Sequence, residues 1–335
     1  MLNGITRLLP LALAITPGIV AGQITTMPPL PSTGRRVDIG GGQHLYLNCT
    51  GTGSPTVVLE SGAGDFAEVW SLVQPRVSQL TRACSYDRGG YAWSDPGRRP
   101  RSYAQLALKL RTALDRAGEK PPYVLVGQSY GGLVVRGFAR RYARDVEGMV
   151  LVDPVHEDQQ IEWGGEAHRL RDAARGRTAP TPRIALDTSL LRMARDSNAM
   201  NLGDTLSPPL ERLPAEAQHL WKWAAAQPLY RMVWAAEMDW SPEELARMHA
   251  ERERNRASLG SMPLVVLART RSTPADTLER VRQALMADLA ALSTGGRLEY
   301  ARASGHNIHI EEPELVVRAI RAVIPSSSTR SGAQR

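Results

Sequence analysis

Tyr123-Val124-Leu125-Val126-Gly127-Gln128-Ser129-Tyr130-Gly131-Gly132 carries an apolar run straight into a segment of helical periodicity, residues 133–142. The order is strand, Gly-x-Ser-x-Gly, helix. Such a junction needs a very tight turn with glycine on either side, because a Cβ there would collide with the neighbouring strand and helix. Ser129 sits at the apex. Its hydroxyl is then presented at the C-terminal edge of a sheet, beside the positive end of a helix. The pentapeptide alone reads equally as a turn with a serine N-cap. The strand before it and the helix after it favour a nucleophile.

Outward from this junction, short apolar runs alternate with helical patterns, which signals an α/β fold with a mainly parallel sheet. Strands are expected at 36–39, 44–49, 56–60, 83–86, 123–126, 148–152, 264–268 and 298–301, with Gly40-Gly41-Gly42 closing the first pair as a hairpin. Helices are expected at 66–79, 103–117, 133–142, 275–292 and 313–324. Residues 156–261, between the sixth and seventh strands, are too many for a loop. They show helical periodicity with proline breaks and hold Trp163, Trp221, Trp223, Trp234 and Trp240, five of the seven tryptophans. They read as a helical cap over the sheet edge. The chain thus divides into a core of residues 35–155 and 262–325, the insertion 156–261, a Pro/Thr/Gly-rich linker 23–34 and a polar tail 326–335.

Residues 1–22 read as an export signal: Arg7 is their only charge, an apolar run follows from Leu8 to Val20, and Ala21-Gly22 offers a cleavage site. An uncleaved N-terminal anchor is the alternative. The run is short for a membrane span, which needs about 20 apolar residues, and no second long apolar stretch exists. The mature chain is therefore expected to be exported, periplasmic or secreted, with no stable membrane span. The net charge of +7 comes almost wholly from arginines scattered among acids, as in Glu251-Arg252-Glu253-Arg254. Without aromatic interleaving or a nucleic-acid motif, this reads as a solvated surface and no nucleic-acid partner is expected.

A serine hydroxyl needs a general base, and the base needs an orienting acid. Of seven histidines, His306 is set apart by its loop, Ala303-Ser304-Gly305-His306-Asn307, between the last strand and the final helix. Gly305 is read as freeing the backbone for a sharp approach. His309, three residues on, is read as packing or capping locally. For the acid, Asp153 ends the sixth strand and Asp276 follows the seventh; both remain open, with Asp153 favoured, while Asp288 lies deeper in the helix and carries little weight. Donors for a developing oxyanion would be the backbone N–H of Tyr130, just after the serine, and that of Ala63 in the turn Ser61-Gly62-Ala63-Gly64. That turn also reads as a plain flexible glycine turn. No His or Cys spacing suggests a metal, and this chemistry requires no cofactor.

These residues resemble the α/β-hydrolase superfamily over nearly all of residues 36–324, and within it the exported bacterial serine hydrolases. The resemblance rests on Gly127 to Gly132, Ser61 to Gly64, Tyr86-Asp87-Arg88-Gly89-Gly90-Tyr91 and Ser304-Gly305-His306, and on the order Ser, acid, His. Two departures stand out. Ser61-Gly62 replaces the usual His-Gly of the oxyanion turn, and the Gly-x-x-Asp acid signature after strand seven is missing. Some relatives place the acid after strand six, which favours Asp153. The Asp87-Arg88 pair resembles a turn brace of the family. The resemblance implies an eight-stranded, mostly parallel sheet of order 1-2-4-3-5-6-7-8 with helices on both faces and strand two antiparallel. It thereby implies a Cys49–Cys84 disulfide, against two buried thiols.

The expected function is a serine hydrolase acting on a carboxylic ester or related acyl compound, taking a small, uncharged, lipophilic substrate. Trp221, Trp223, Tyr230, Met232, Trp234 and Met238 either line its pocket or form the core of the insertion. Lactone or amide hydrolysis, lyase or cofactor-free peroxidase chemistry, and ligand binding without turnover are the alternatives. Epoxide hydrolysis and dehalogenation are disfavoured, because they need a carboxylate where this chain has Ser129.

Overall fold

The computed structural model describes residues 28–97, 101–163, 165–174, 206–255, 259–270 and 277–325. The expected export signal and tail, Asp276 and residues 175–205 of the insertion lie outside the described residues, as does the first part of the expected linker. In chain order the strands are β1 (Gly34–Asp38), β2 (His44–Thr50), β3 (Thr56–Glu60), β4 (Ala83–Tyr86), β5 (Tyr123–Gln128), β6 (Val146–Val152), β7 (Gln160–Trp163), β8 (Glu166–Arg169), β9 (Leu264–Arg269) and β10 (Gly296–Ala301). The helices are α1 (Gln74–Val77), α2 (Tyr103–Arg116), α3 (Gly131–Arg141), α4 (Ala215–Ala225), α5 (Pro228–Asn255), α6 (Thr277–Ala290), α7 (Ile308–Glu311) and α8 (Pro313–Val323).

Eight strands form one sheet in the order β1-β2-β4-β3-β5-β6-β9-β10. Only the pairings of β2, with β1 and with β4, are antiparallel. This is the order that the resemblance implies. Successive side chains of a strand point to opposite faces, and here both faces are covered. Val57, Leu59, Val124, Val126, Val150, Val152, Val265 and Leu267 pack on one side with α8. Val58, Leu125, Met149, Leu151, Leu264 and Val266 pack on the other with α2, α3 and α6. That is why the central strands read as continuous apolar runs. Cys49 and Cys84 are directly opposite in the β2–β4 ladder, and their sulfurs are bonded.

Three expectations need correction. The helix expected over 66–79 is a 3-10 turn, Ala67–Trp70, followed by the short α1. Pro75 forbids a continuous helix because it lacks an N–H and crowds the preceding turn. The insertion is not purely helical: it opens with the antiparallel hairpin β7–β8, with Gly165 at φ +83° beside its turn. Finally, β1 starts at Gly34, and the Trp93 indole donates to Pro28 O (3.2 Å), so the end of the expected linker is tied to the core. Among the described residues no helix is long and apolar enough to cross a membrane.

The register places the chemistry. Glu60 pairs with Gly127, Gln128 with Val152, and Val152 with Leu267. Ser61, Ser129 and Asp153 therefore follow the ends of three adjacent parallel strands, at the carboxyl edge where open α/β sheets bind ligands.

Candidate active site

Ser129 joins β5 to α3 with φ +52°, in the left-handed region that side chains other than glycine rarely adopt. Its N–H donates to Val152 O (3.0 Å), and its carbonyl accepts from Gly132 N (3.0 Å) and Val155 N (3.1 Å), so the strained residue is fixed from both sides. A Cβ on Gly127 would sit 2.6 Å from Gly131 O, and one on Gly131 would sit 2.5 Å from Glu60 O. Both glycines are required by close approach.

Asp153 directly follows β6 with φ +41°, and its N–H donates to Leu267 O (2.8 Å). Its carboxylate is buried and fully engaged. Oδ2 lies 2.6 Å from His306 Nδ1 and accepts from Arg269 Nη1 (3.0 Å); Oδ1 accepts from Arg282 Nη1 (2.8 Å) and Arg269 N (3.2 Å). Burial alone would push this carboxyl up. The hydrogen bond and charge of His306, with the two guanidinium groups, outweigh burial and hold it below the usual carboxylate range.

His306 is partly exposed, its side chain 43% accessible, on a loop that is tied down. Glu312 accepts from Ala303 N (2.8 Å) and Ser304 Oγ (2.6 Å), and Glu311 accepts from Gly305 N (2.8 Å). Gln128, next to the serine, donates from Nε2 to His306 O (3.3 Å). Gly305 is not in the left-handed region. Its small size matters instead, since a Cβ there would lie 3.3 Å from Glu311 Oε2.

The turn after β3 lies against the serine: a Cβ on Gly62 would be 3.4 Å from the Ser129 Cβ. Among the described residues, neither the Ala63 N–H nor the Tyr130 N–H has a protein acceptor.

The other candidates sit elsewhere. His309 is fully buried, 4.8 Å between ring centroids from Trp70, with no partner on either ring nitrogen among the described residues. Burial, with the nearby charge of His306, lowers its pKa to about 3. Asp288 pairs with His156 (2.8 Å) and with Arg252, away from His306. His44 meets Asp95 and His249 meets Asp158. Within the Asp87-Arg88 pair, Asp87 is a brace: it accepts from Ala67 N (2.9 Å) and Trp93 N (3.2 Å), and burial pushes its carboxyl up to about 8.

The aromatic side chains of the insertion divide. Trp223 packs on Trp93 (5.4 Å) as core. Tyr230 and Trp234 stand over the turn after β3, where a Cβ on Gly64 would be 3.0 Å from each. Four features carried no sequence motif. Arg269 and Arg282 embrace Asp153; the position of Arg269 at the end of a strand beside β6 was the only signal. Asp65, next to Gly64, has Trp221 Nε1 at 3.5 Å from Oδ1, and burial raises its carboxyl despite the opposing pull of Trp221, Arg88 and His306. Glu237 of α5 meets Arg88 behind the turn.

A family model described as "Alpha/beta hydrolase family" matches residues 57–319. The chain is similar to "Probable transporter efuK" of Hormonema carpetanum, at 27% identity over 303 residues; the match covers 86% of this chain and 42% of that protein, so the chain spans less than half its length. Among solved structures it is similar to the epoxide hydrolase CorEH without ligand, with TM-score 0.61 and 16% identity, covering 86% of this chain and 98% of the other. It is also similar to a thermophilic esterase from Thermogutta terrifontis in a malate-bound form, with TM-score 0.60 and 19% identity, covering 86% and 96%. Identities this low speak for the fold alone.

Proposed function

The chain belongs to the alpha/beta hydrolase family, and we propose that within it the protein is a serine hydrolase cleaving a carboxylic ester or related acyl compound. The observation that carries this reading is the 2.6 Å contact between His306 Nδ1 and buried Asp153, on a loop tied by Gln128 to the residue beside Ser129. The Ser129 hydroxyl attacks the acyl carbon while His306 accepts its proton. The carbonyl electron pair moves to oxygen, facing the N–H groups of Ala63 and Tyr130. Collapse expels the alcohol, which takes the proton from His306. Water, activated by the same imidazole, then releases the acid and restores Ser129. Asp153 keeps the imidazole oriented through Nδ1, and Nε2 carries the proton. Similarity to an epoxide hydrolase extends to the fold, whereas that chemistry needs a carboxylate in place of Ser129.

We also propose that residues 156–261 act as a cap, with Tyr230 and Trp234 favouring a small, uncharged, lipophilic substrate. We further propose export with removal of residues 1–22, which the Cys49–Cys84 disulfide supports. N-terminal sequencing of the exported chain checks cleavage; a start at Met1 would overturn it.

Hydrolysis of short-chain p-nitrophenyl esters and labelling by a fluorophosphonate test the chemistry. Ser129→Ala and His306→Ala are expected to abolish both with the fold intact. Asp153→Asn should lower kcat by about 10³–10⁴. Turnover retained in Ser129→Ala removes the serine from its role. Full activity in Asp153→Asn would return the acid to Asp276.

A further inference from the structure

Arg88 is buried behind the turn after β3 and uses every donor it has. Nε donates to Glu237 Oε1 (2.8 Å); Nη1 donates to Glu60 Oε1 (2.7 Å) and Ser61 O (2.7 Å); Nη2 donates to Gly62 O (2.6 Å) and Glu237 Oε2 (3.0 Å). Glu237, fully buried, is equally saturated. Besides Arg88, its Oε1 accepts from Arg101 Nη2 (2.6 Å) and its Oε2 from Tyr91 OH (2.8 Å). The Tyr91 hydroxyl in turn accepts from Gly64 N (3.2 Å). The four-residue turn is thus gripped at Ser61 O, at Gly62 O (which also accepts from Asp65 N, 3.2 Å) and at Gly64 N, while among the described residues the Ala63 N–H has no protein acceptor.

Peptide geometry gives this grip a consequence. The Gly62 carbonyl and the Ala63 N–H belong to one peptide unit. That unit is planar, and it is trans. The two groups therefore point in opposite directions, and holding the oxygen on Arg88 aims the N–H away from it. Arg88 cannot hold this orientation alone. A buried guanidinium needs a counter-charge, and the one aligned with it on two atoms is Glu237, from the middle of α5 and 149 residues away in the chain. Arg88 and Arg101 outweigh burial and keep Glu237 below the usual carboxylate range, whereas burial pushes Glu60 up.

We propose that Glu237 is a positioning residue: through Arg88 it fixes the Gly62–Ala63 peptide plane and so aims the Ala63 N–H that receives the oxyanion. This makes the seating of α5 on the core a condition of transition-state stabilisation. The inference rests on the reading of Ala63 as an oxyanion donor.

The test uses full-length protein. Wild type, Glu237→Gln and Arg88→Lys are compared for kcat and KM on a short-chain p-nitrophenyl ester. They are also compared for inhibition by an alkyl trifluoromethyl ketone. In that adduct the Ser129 oxygen bonds to the ketone carbon, its proton passes to His306, and the carbonyl pair becomes an oxyanion. Removing an oxyanion donor costs about 10²–10³ in kcat; misaiming one is expected to cost about 10–100-fold. KM should stay within about threefold, and affinity for the ketone should fall by the same factor as kcat/KM. Arg101→Met, which spares the Arg88–Glu237 bidentate pair, is the control for generic loss of buried charge and should not produce this split. If Glu237→Gln does not fold, Glu237→Asp carries the same comparison with the charge retained. A folded Glu237 variant with wild-type kcat and ketone affinity overturns the inference, as does a loss confined to KM. If wild type itself neither turns over nor labels at Ser129, the serine-hydrolase reading fails instead and takes the inference with it.

Discussion

Replacing His309 by leucine should remove one proton's worth of acid sensitivity from the fold. The imidazole is fully buried against Trp70 with no partner on either nitrogen among the described residues, and its pKa falls to about 3. In the unfolded chain an imidazole titrates near 6.5. As pH drops below that value the unfolded chain binds a proton that the folded chain refuses, so folding stability falls with pH until about 3, where the folded state also titrates. Linkage between these two values gives a loss of about 2.5 kcal/mol on going from about pH 7 to about pH 4.5. Leucine has a similar volume and no polar atom, so the variant should match the wild type near neutrality or exceed it. Other groups contribute to the acid response of both proteins. Asp153 and Glu237, held low, lose stability in acid, while Glu68, raised to about 7 by burial and Glu216, gains it. The difference between wild type and His309→Leu isolates the one ring. Urea unfolding at both pH values, with m held common, measures it. If the two proteins lose stability in parallel, the account of His309 as a buried neutral imidazole is wrong. Ester turnover by His309→Leu should persist, in contrast to His306→Ala.

Gly62→Ala would put a Cβ 2.2 Å from Gln128 Oε1, evicting the amide that holds His306 O, so kcat/KM should fall by about tenfold or more with little change in thermal midpoint; wild-type kinetics would refute the role given to that contact. Cys49→Ala/Cys84→Ala opens a cross-link between residues 35 apart, and loop-closure entropy sets the expected loss at about 3–4 kcal/mol. Urea unfolding of the oxidised wild type against the variant checks this, and a loss below about 1 kcal/mol would reject it.

Local pattern was enough to read the sheet. Alternation of apolar runs with helical periods located all eight main strands, because both faces of the central strands are buried and demand apolar residues at every position. It misread what depends on single residues acting against the pattern. Pro75 broke the expected 66–79 helix, and Gly165, in the left-handed region, stands at the turn that makes part of the insertion a hairpin. In the site, Ser129 was legible because its turn is built from consecutive residues, and His306 because its loop follows the last strand.

The sequence by itself determined the order of the eight main strands, the apex serine and the loop that carries His306, since each is written in neighbouring residues. Only the tertiary structure decided which acid faces that imidazole, with Asp153 and His306 lying 153 residues apart. The same is true of the two arginines on Asp153, the burial that neutralises His309, and the link from Glu237 through Arg88 to the turn after β3. These are contacts between distant segments and consequences of lost solvent. Neither leaves a periodic or local trace, because a buried charge is stabilised by whatever partner the packed chain brings to it, from any distance along the chain.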